Sequence, residues 1–144
     1  MAERRAAVTW HGSLMDGSGT IDDVGSGAFG PLDVSWPARS EEASGGKTSP
    51  EELIAAAHAV CFAMALAHGL SGAGNPPERL HSSATVTFVP GTGITKIILT
   101  VRGRVPGIGE EEFRVAAEAA KQDCPVSKAL AGVPEITLNV LFES

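Results

Sequence analysis

Positive charge is scarce in this chain and nowhere clustered. Eleven Lys and Arg stand against 17 Asp and Glu, a formal net charge of −6, and the only adjacent basic pair is Arg4-Arg5. Without an electrostatic footprint for a phosphate backbone or an anionic lipid surface, nucleic acid is not an expected partner. Cysteine is scarcer still. Cys61 and Cys124 are the whole complement, with no C-x-x-C and no His or Cys at metal-ligand spacing beside either. His58 does lie three residues before Cys61, but two ligands do not make a site, so neither a metal nor any other cofactor is expected. The opening residues "MAERRAAVTWHG" also lack the apolar core and small-residue cleavage site of a secretory signal. The chain is therefore expected to be cytoplasmic, with its cysteines in a reducing compartment.

One long hydrophobic run is present, and it approaches the length of a membrane span. Residues 53–70 read "LIAAAHAVCFAMALAHGL". Two histidines inside the run, its alanine-dominated composition and Glu51 and Glu52 at its head argue instead for a central buried helix, with no membrane as partner. A helix apolar around most of its circumference needs cover on several sides, more than one small sheet supplies. A dimer would provide it.

With 144 residues, 43% of them hydrophobic, the chain has the size of a single domain, taken as residues 1–144. "RRAAVTWHGS" and "SGTIDDVGSG" each hold a short alternating segment, and "LDVSWPARS" is read as containing a third, together a small antiparallel meander. The polar loop "SEEASGGKTS" leads to a marked helix start. Ser49 caps, Pro50 suits the first helical position, and Glu52 completes an S-x-x-E capping box; Gly69 or Gly72 is the expected stop. "RLHSSATVTFVP" and "GITKIILTVRGRV" read as a hairpin turning at Pro90-Gly91. "GEEEFRVAAEAAKQD" has helical spacing at Phe113, Ala116, Ala117 and Ala120, with acids first and Lys121 near its end. "PVSKAL" is a helical turn and "PEITLNVLFES" a closing strand. The predicted order is β-β-β-α-β-β-α-α-β, an α+β chain.

Each cysteine has a bland reading and a reactive one. Cys61 shares a helical stripe with Leu53, Ala57, Met64 and His68, and a free cysteine there is an ordinary small hydrophobe. In "KQDCPVSKAL", Pro125 suits the first helical position, which puts the Cys124 sulfur at a helix N-terminus, where a thiol pKa falls. Two such thiols admit a cycle in which one attacks a peroxide oxygen, becomes a sulfenic acid, and is resolved by the other as a disulfide. A nearby cation would help: Arg39 precedes the long helix, and Glu51 could hold it by a bidentate pair. Both also have plain readings, as a solvated loop charge and as a first-turn acid.

"TSPEELIAAAHAVCFAMAL", with "CPVSKAL" and "EITLNV" after it, resembles the osmotically inducible protein C and organic hydroperoxide resistance (OsmC/Ohr) family. The likeness runs from about Trp10 to the last strand, and "ITKIILTVRGRVPGI" is closer to the OsmC branch. Ser49 stands where the family usually has Asn, and still caps a helix. The resemblance implies an OsmC-like fold: an intertwined homodimer in which the long central helices are wrapped by antiparallel sheets. It also implies a thiol-dependent peroxidase that reduces organic hydroperoxides to alcohols and is recycled by a dithiol, a lipoylated protein being the reductant associated with the family. In matching positions Cys61 is the peroxidatic nucleophile, Cys124 the resolving cysteine, Arg39 the catalytic arginine and Glu51 the residue that orients it. The helix-end argument favours Cys124 as the more acidic thiol; a full charge on Arg39 in a dry pocket would reverse that order. The apolar neighbours Ile54, Ala57, Phe62 and Met64 suggest a pocket for a substrate tail, hence a preference for organic peroxides over hydrogen peroxide. A non-catalytic ligand-binding protein and a redox sensor of the same fold are the competing expectations.

Overall fold

A computed structural model describes residues 1–144. It divides into two compact units, Met1–Leu53 and Ile54–Ser144, taken in turn.

In the first unit, β1 (Ala6–His11), β2 (Ser18–Val24) and β3 (Leu32–Val34) form an antiparallel meander in that order. The third segment departs from expectation in its second half. The strand ends at Val34, and Trp36–Ser40 is a short helix, α1, so the order gains one helix between β3 and the long helix. The cause is local: the Ser35 hydroxyl accepts the Ala38 N–H at 3.2 Å, Pro37 sits in the first turn where its missing N–H costs nothing, and the Ser40 hydroxyl donates to the Trp36 carbonyl. The long helix α2 (Pro50–Gly72) starts as the sequence indicates. Ser49 Oγ accepts the Glu52 N–H at 3.2 Å, while the Glu52 carboxylate accepts a hydrogen bond from the Thr48 hydroxyl at 2.8 Å.

The second unit holds most of α2. It ends at Gly72, the later of the two expected stops, and Gly74, at φ +86°, follows as the capping residue. The Asn75 N–H reaches the Leu70 carbonyl and the Gly74 N–H that of Ser71, the paired bonds of a Schellman cap, which needs a residue free to take a left-handed conformation. The hairpin is present: β4 (Arg79–Val89) pairs antiparallel with β5 (Gly93–Arg104). Pro90 and Gly91 (φ +82°) are the central residues of a turn closed by the Thr92 N–H on the Val89 carbonyl. After α3 (Glu110–Asp123) and α4 (Pro125–Ala129), β6 (Glu135–Glu143) pairs with β5 in parallel, so this sheet is mixed rather than wholly antiparallel. A crossover through two helices returns the chain to the sheet in the same direction as β5.

The core of this unit joins α2, β5, α3 and β6. His58, Phe62, Leu66 and Leu70, four apart along α2, are all buried; the last three pack with Leu99, Val101, Phe113, Ala117 and Val140. The row on the other side of the helix, Ala56, Val60, Met64 and His68, is exposed. Val60 is 54% and Met64 68% accessible, and only 22% of the most apolar 18-residue window of α2 is buried. By length and composition α2 is apolar enough to cross a membrane. Yet its inner row includes a histidine that is fully buried and hydrogen-bonded, which ties the helix into a protein core.

Candidate active site

Two clusters of chemically capable side chains stand out, one in each unit. The first is built on α1 and the start of α2. Arg39 lies in the last turn of α1 and Glu51 in the first turn of α2. Gly45 and Gly46, both at positive φ, bend the intervening loop, and the Thr48 N–H anchors it to the Asp33 carbonyl. Arg39 Nε donates to Glu51 Oε1 at 3.0 Å and to Oε2 at 3.2 Å, and Nη2 lies 2.9 Å from Oε1. The Glu51 side chain is 8% exposed and that of Arg39 33%. The carboxylate is held by a planar fork, so the guanidinium is fixed in direction as well as in place. An apolar cavity of about 310 Å³ adjoins it, lined by Val8, Trp10, Trp36 and Leu53 together with Arg39.

Cys61 and Cys124 make the second cluster. Both are free thiols, Cys124 fully buried and Cys61 partly exposed. The chain brings them together from α2 and from the junction of α3 and α4, and each alters the other's ionisation. Burial pushes the Cys61 thiol up, and its hydrogen bond to Cys124 pushes it further. Burial also opposes ionisation of Cys124, but the Cys61 thiol, the N–H groups of Ser127 and Val126 and the Ser127 hydroxyl outweigh it, so its pKa falls below the ordinary value. In this chain by itself Cys124 is the more acidic thiol, the order the helix-end argument gives.

An open groove of about 540 Å³ exposes Cys61 between α2 and α3. Met64, Ala65 and His68 line one wall, Ala116, Ala119 and Ala120 the other. Of the expected tail-binding residues only Met64 is there. Phe62 is fully buried, because one residue along a helix is a turn of about 100°, which carries its side chain from the groove to the core. Ile54 and Ala57 do not line the groove either. Its α3 wall is built from alanines whose role the helical spacing did not disclose.

Sequence reasoning missed Ser127. Its hydroxyl lies 2.8 Å from His58 Nε2, linking α4 to the inner row of α2. The signal available was Ser127's place three residues after Cys124, one helical turn. No group of three or more His, Cys, Asp and Glu side chains is arranged to hold a metal.

Comparison with known proteins bears on both clusters. The OsmC-like protein family model matches residues 43–139, a span that includes Glu51, Cys61 and Cys124. Peroxiredoxin OsmC of Escherichia coli is 38% identical, over 98% of this chain and 97% of that one. An organic hydroperoxide resistance protein of Xanthomonas axonopodis is 33% identical over 74% and 76%. Among solved structures, an organic hydroperoxide resistance protein OsmC from Legionella pneumophila superposes with a TM-score of 0.70 at 24% identity, covering 98% of this chain and 99% of that one, a likeness of fold.

Proposed function

The chain belongs to the OsmC-like protein family, and on that footing we propose that it is a thiol-dependent peroxidase that reduces organic hydroperoxides. The observation that carries the proposal is the pair of free thiols, Cys61 and Cys124, near enough to perturb each other's ionisation. The names of relatives similar to most of the chain, a peroxiredoxin and an organic hydroperoxide resistance protein, support it.

In the proposed cycle the Cys61 thiolate attacks the terminal oxygen of ROOH. The O–O bond breaks, RO⁻ takes a proton and leaves as the alcohol, and Cys61 becomes a sulfenic acid. The Cys124 thiolate then attacks the Cys61 sulfur, forming the S–S bond while the S–O bond breaks and hydroxide leaves as water. A dithiol, with a lipoylated protein as the favoured source, reduces the disulfide by two exchange steps and is itself oxidised to a cyclic disulfide. Arg39, oriented by Glu51, keeps the role of catalytic arginine that the family resemblance implies. The groove beside Cys61 accepts the alkyl or aryl tail, and hydrogen peroxide has no tail to bury there.

The proposal includes a homodimer. The exposed apolar row of Ala56, Val60 and Met64 is the surface a second copy would cover. It takes residues 1–144 as one domain, since the family match spans the Leu53/Ile54 boundary, and a cytoplasmic location, where dithiols are available.

The raised Cys61 pKa favours a second reading, a non-catalytic ligand-binding protein of the same fold in which the thiol is unactivated; a redox sensor of that fold would use the same thiol chemistry and signal to a partner. Intact mass after one equivalent of cumene hydroperoxide separates the two. The peroxidase loses two hydrogens, and peptide mapping finds Cys61 joined to Cys124; an unmodified chain overturns the proposal. Slow turnover with excess dithiol, after stoichiometric disulfide formation, identifies a sensor.

A further inference from the structure

His58 and Glu51 are the buried polar side chains of the protein, and only Glu51 has its partners accounted for. His58 is fully enclosed on the inner row of α2. Its Nε2 meets the Ser127 hydroxyl at 2.8 Å, while Nδ1 is buried with no partner at all. That asymmetry selects the tautomer. A buried N–H without an acceptor is rarer and costlier than a buried lone pair without a donor, so the proton belongs on Nε2, where it has the Ser127 oxygen to bind. Ser127 Oγ is then the acceptor in this contact. Its own proton is left free to point elsewhere, and Ser127 is already among the groups that favour the Cys124 thiolate.

We propose that His58 and Ser127 form a positioning pair for the resolving cysteine: His58 Nε2–H donates to Ser127 Oγ, and this turns the Ser127 hydroxyl proton onto the Cys124 sulfur. His58 neither takes up nor releases a proton in this arrangement. Burial lowers its pKa and keeps the ring neutral, so it sets direction. The consequence falls on the second step of the proposed cycle, in which a Cys124 thiolate displaces hydroxide from the Cys61 sulfenic acid. A donor held against the sulfur raises the fraction present as thiolate. With the opposite tautomer Ser127 would give its proton to His58, and Cys124 would lose a donor. The role of Cys124 as resolving thiol rests on the peroxidase reading; the hydrogen-bond arrangement does not.

The test is made in the Cys61→Ser protein, where Cys124 is the only thiol and no peroxide is needed. Thiolate formation is followed by ultraviolet absorbance against pH, which does not depend on access of a reagent to the buried sulfur. The other titratable groups around Cys124, Asp123 closing α3 and Lys128 on α4, stay in place in every variant. Loss of a hydrogen bond to a charged group corresponds to a rise of about one pH unit in the midpoint. Ser127→Ala and His58→Phe are expected to show it, while Ser127→Thr and His58→Gln, which keep the hydroxyl and an N–H donor, titrate close to the parent. Ser127→Ala makes a small change on a half-buried turn, so its result stands even if His58→Phe fails to fold. An unchanged midpoint in Ser127→Ala overturns the inference, as does a rise in folded His58→Gln equal to that in folded His58→Phe. Failure of peroxidase turnover in the parent protein would leave these titrations as they are.

Discussion

Glu51 holds Arg39 across twelve positions of chain, with two oxygens on Nε and one on Nη2, and it is the carboxylate, not the guanidinium, that is buried. Truncating the two partners therefore has unequal consequences. Arg39→Ala leaves a buried carboxylate without its donor and is expected to cost about 1–3 kcal/mol of stability. Glu51→Ala leaves a cation that is one-third exposed and can be hydrated, so it costs less. Urea unfolding of both variants checks the order. For activity the roles converge: Arg39→Lys and Glu51→Gln each disturb the direction of the charge and are expected to lower kcat/KM for cumene hydroperoxide by about 100-fold.

The outer face of α2 predicts assembly. Burying a valine or methionine side chain contributes about 1.5–3 kcal/mol, and the exposed row of Val60 and Met64 leaves that unrealised in a single chain. Light scattering is expected to give twice the 14.8 kDa chain mass, and Val60→Glu or Met64→Glu to shift the protein toward monomer. A dimer that survives both changes would place the interface elsewhere.

His58 predicts an acid-sensitive limb of stability. Its folded pKa lies below the ordinary 6.5 because burial disfavours the charged ring. As pH falls through about 6.5 the unfolded chain takes up a proton that the folded chain refuses, so stability falls with pH below that point. His58→Gln removes the titrating group and is expected to flatten this limb, read from unfolding midpoints between pH 7 and the folded pKa.

Gly103, one residue from the end of β5 and facing Phe113 of α3, is a packing requirement. A β-carbon there would meet the Phe113 ring and the Leu80 side chain, and Phe113 is itself fixed against Phe142, ring centroids 5.6 Å apart. Gly103→Ala is expected to destabilise by about 1–3 kcal/mol in thermal or urea unfolding, without altering the thiol chemistry. A neutral effect would mean that the α3 helix shifts freely on the sheet.

The features the sequence made legible are those written in neighbouring residues. Ser49-Pro50 marks the α2 start, Pro90-Gly91 the hairpin turn, and the alternation in residues 79–89 a strand with one half-buried face. Short elements and contacts distant in sequence were harder to read. The α1 turn was hidden in a segment read as strand, although Ser35 and Pro37 carry its capping signal. That β6 enters parallel to β5 is decided by the crossover, to which its own residues give no clue. The two cysteines were visible as candidates, and the pairing of Arg39 with Glu51 was foreseen. The Ser127 contact was not, since it joins residues 69 positions apart, and a serine in a short turn has no pattern that points to a histidine on another helix.

Turnover of cumene hydroperoxide with dihydrolipoamide as reductant tests the central claim most directly, with the wild type run beside Cys61→Ser and Cys124→Ser. Steady turnover is expected in the wild type and none in Cys61→Ser. Cys124→Ser is expected to react with a single equivalent and to lose recycling. Undiminished turnover in Cys61→Ser, or none in the wild type, would contradict it.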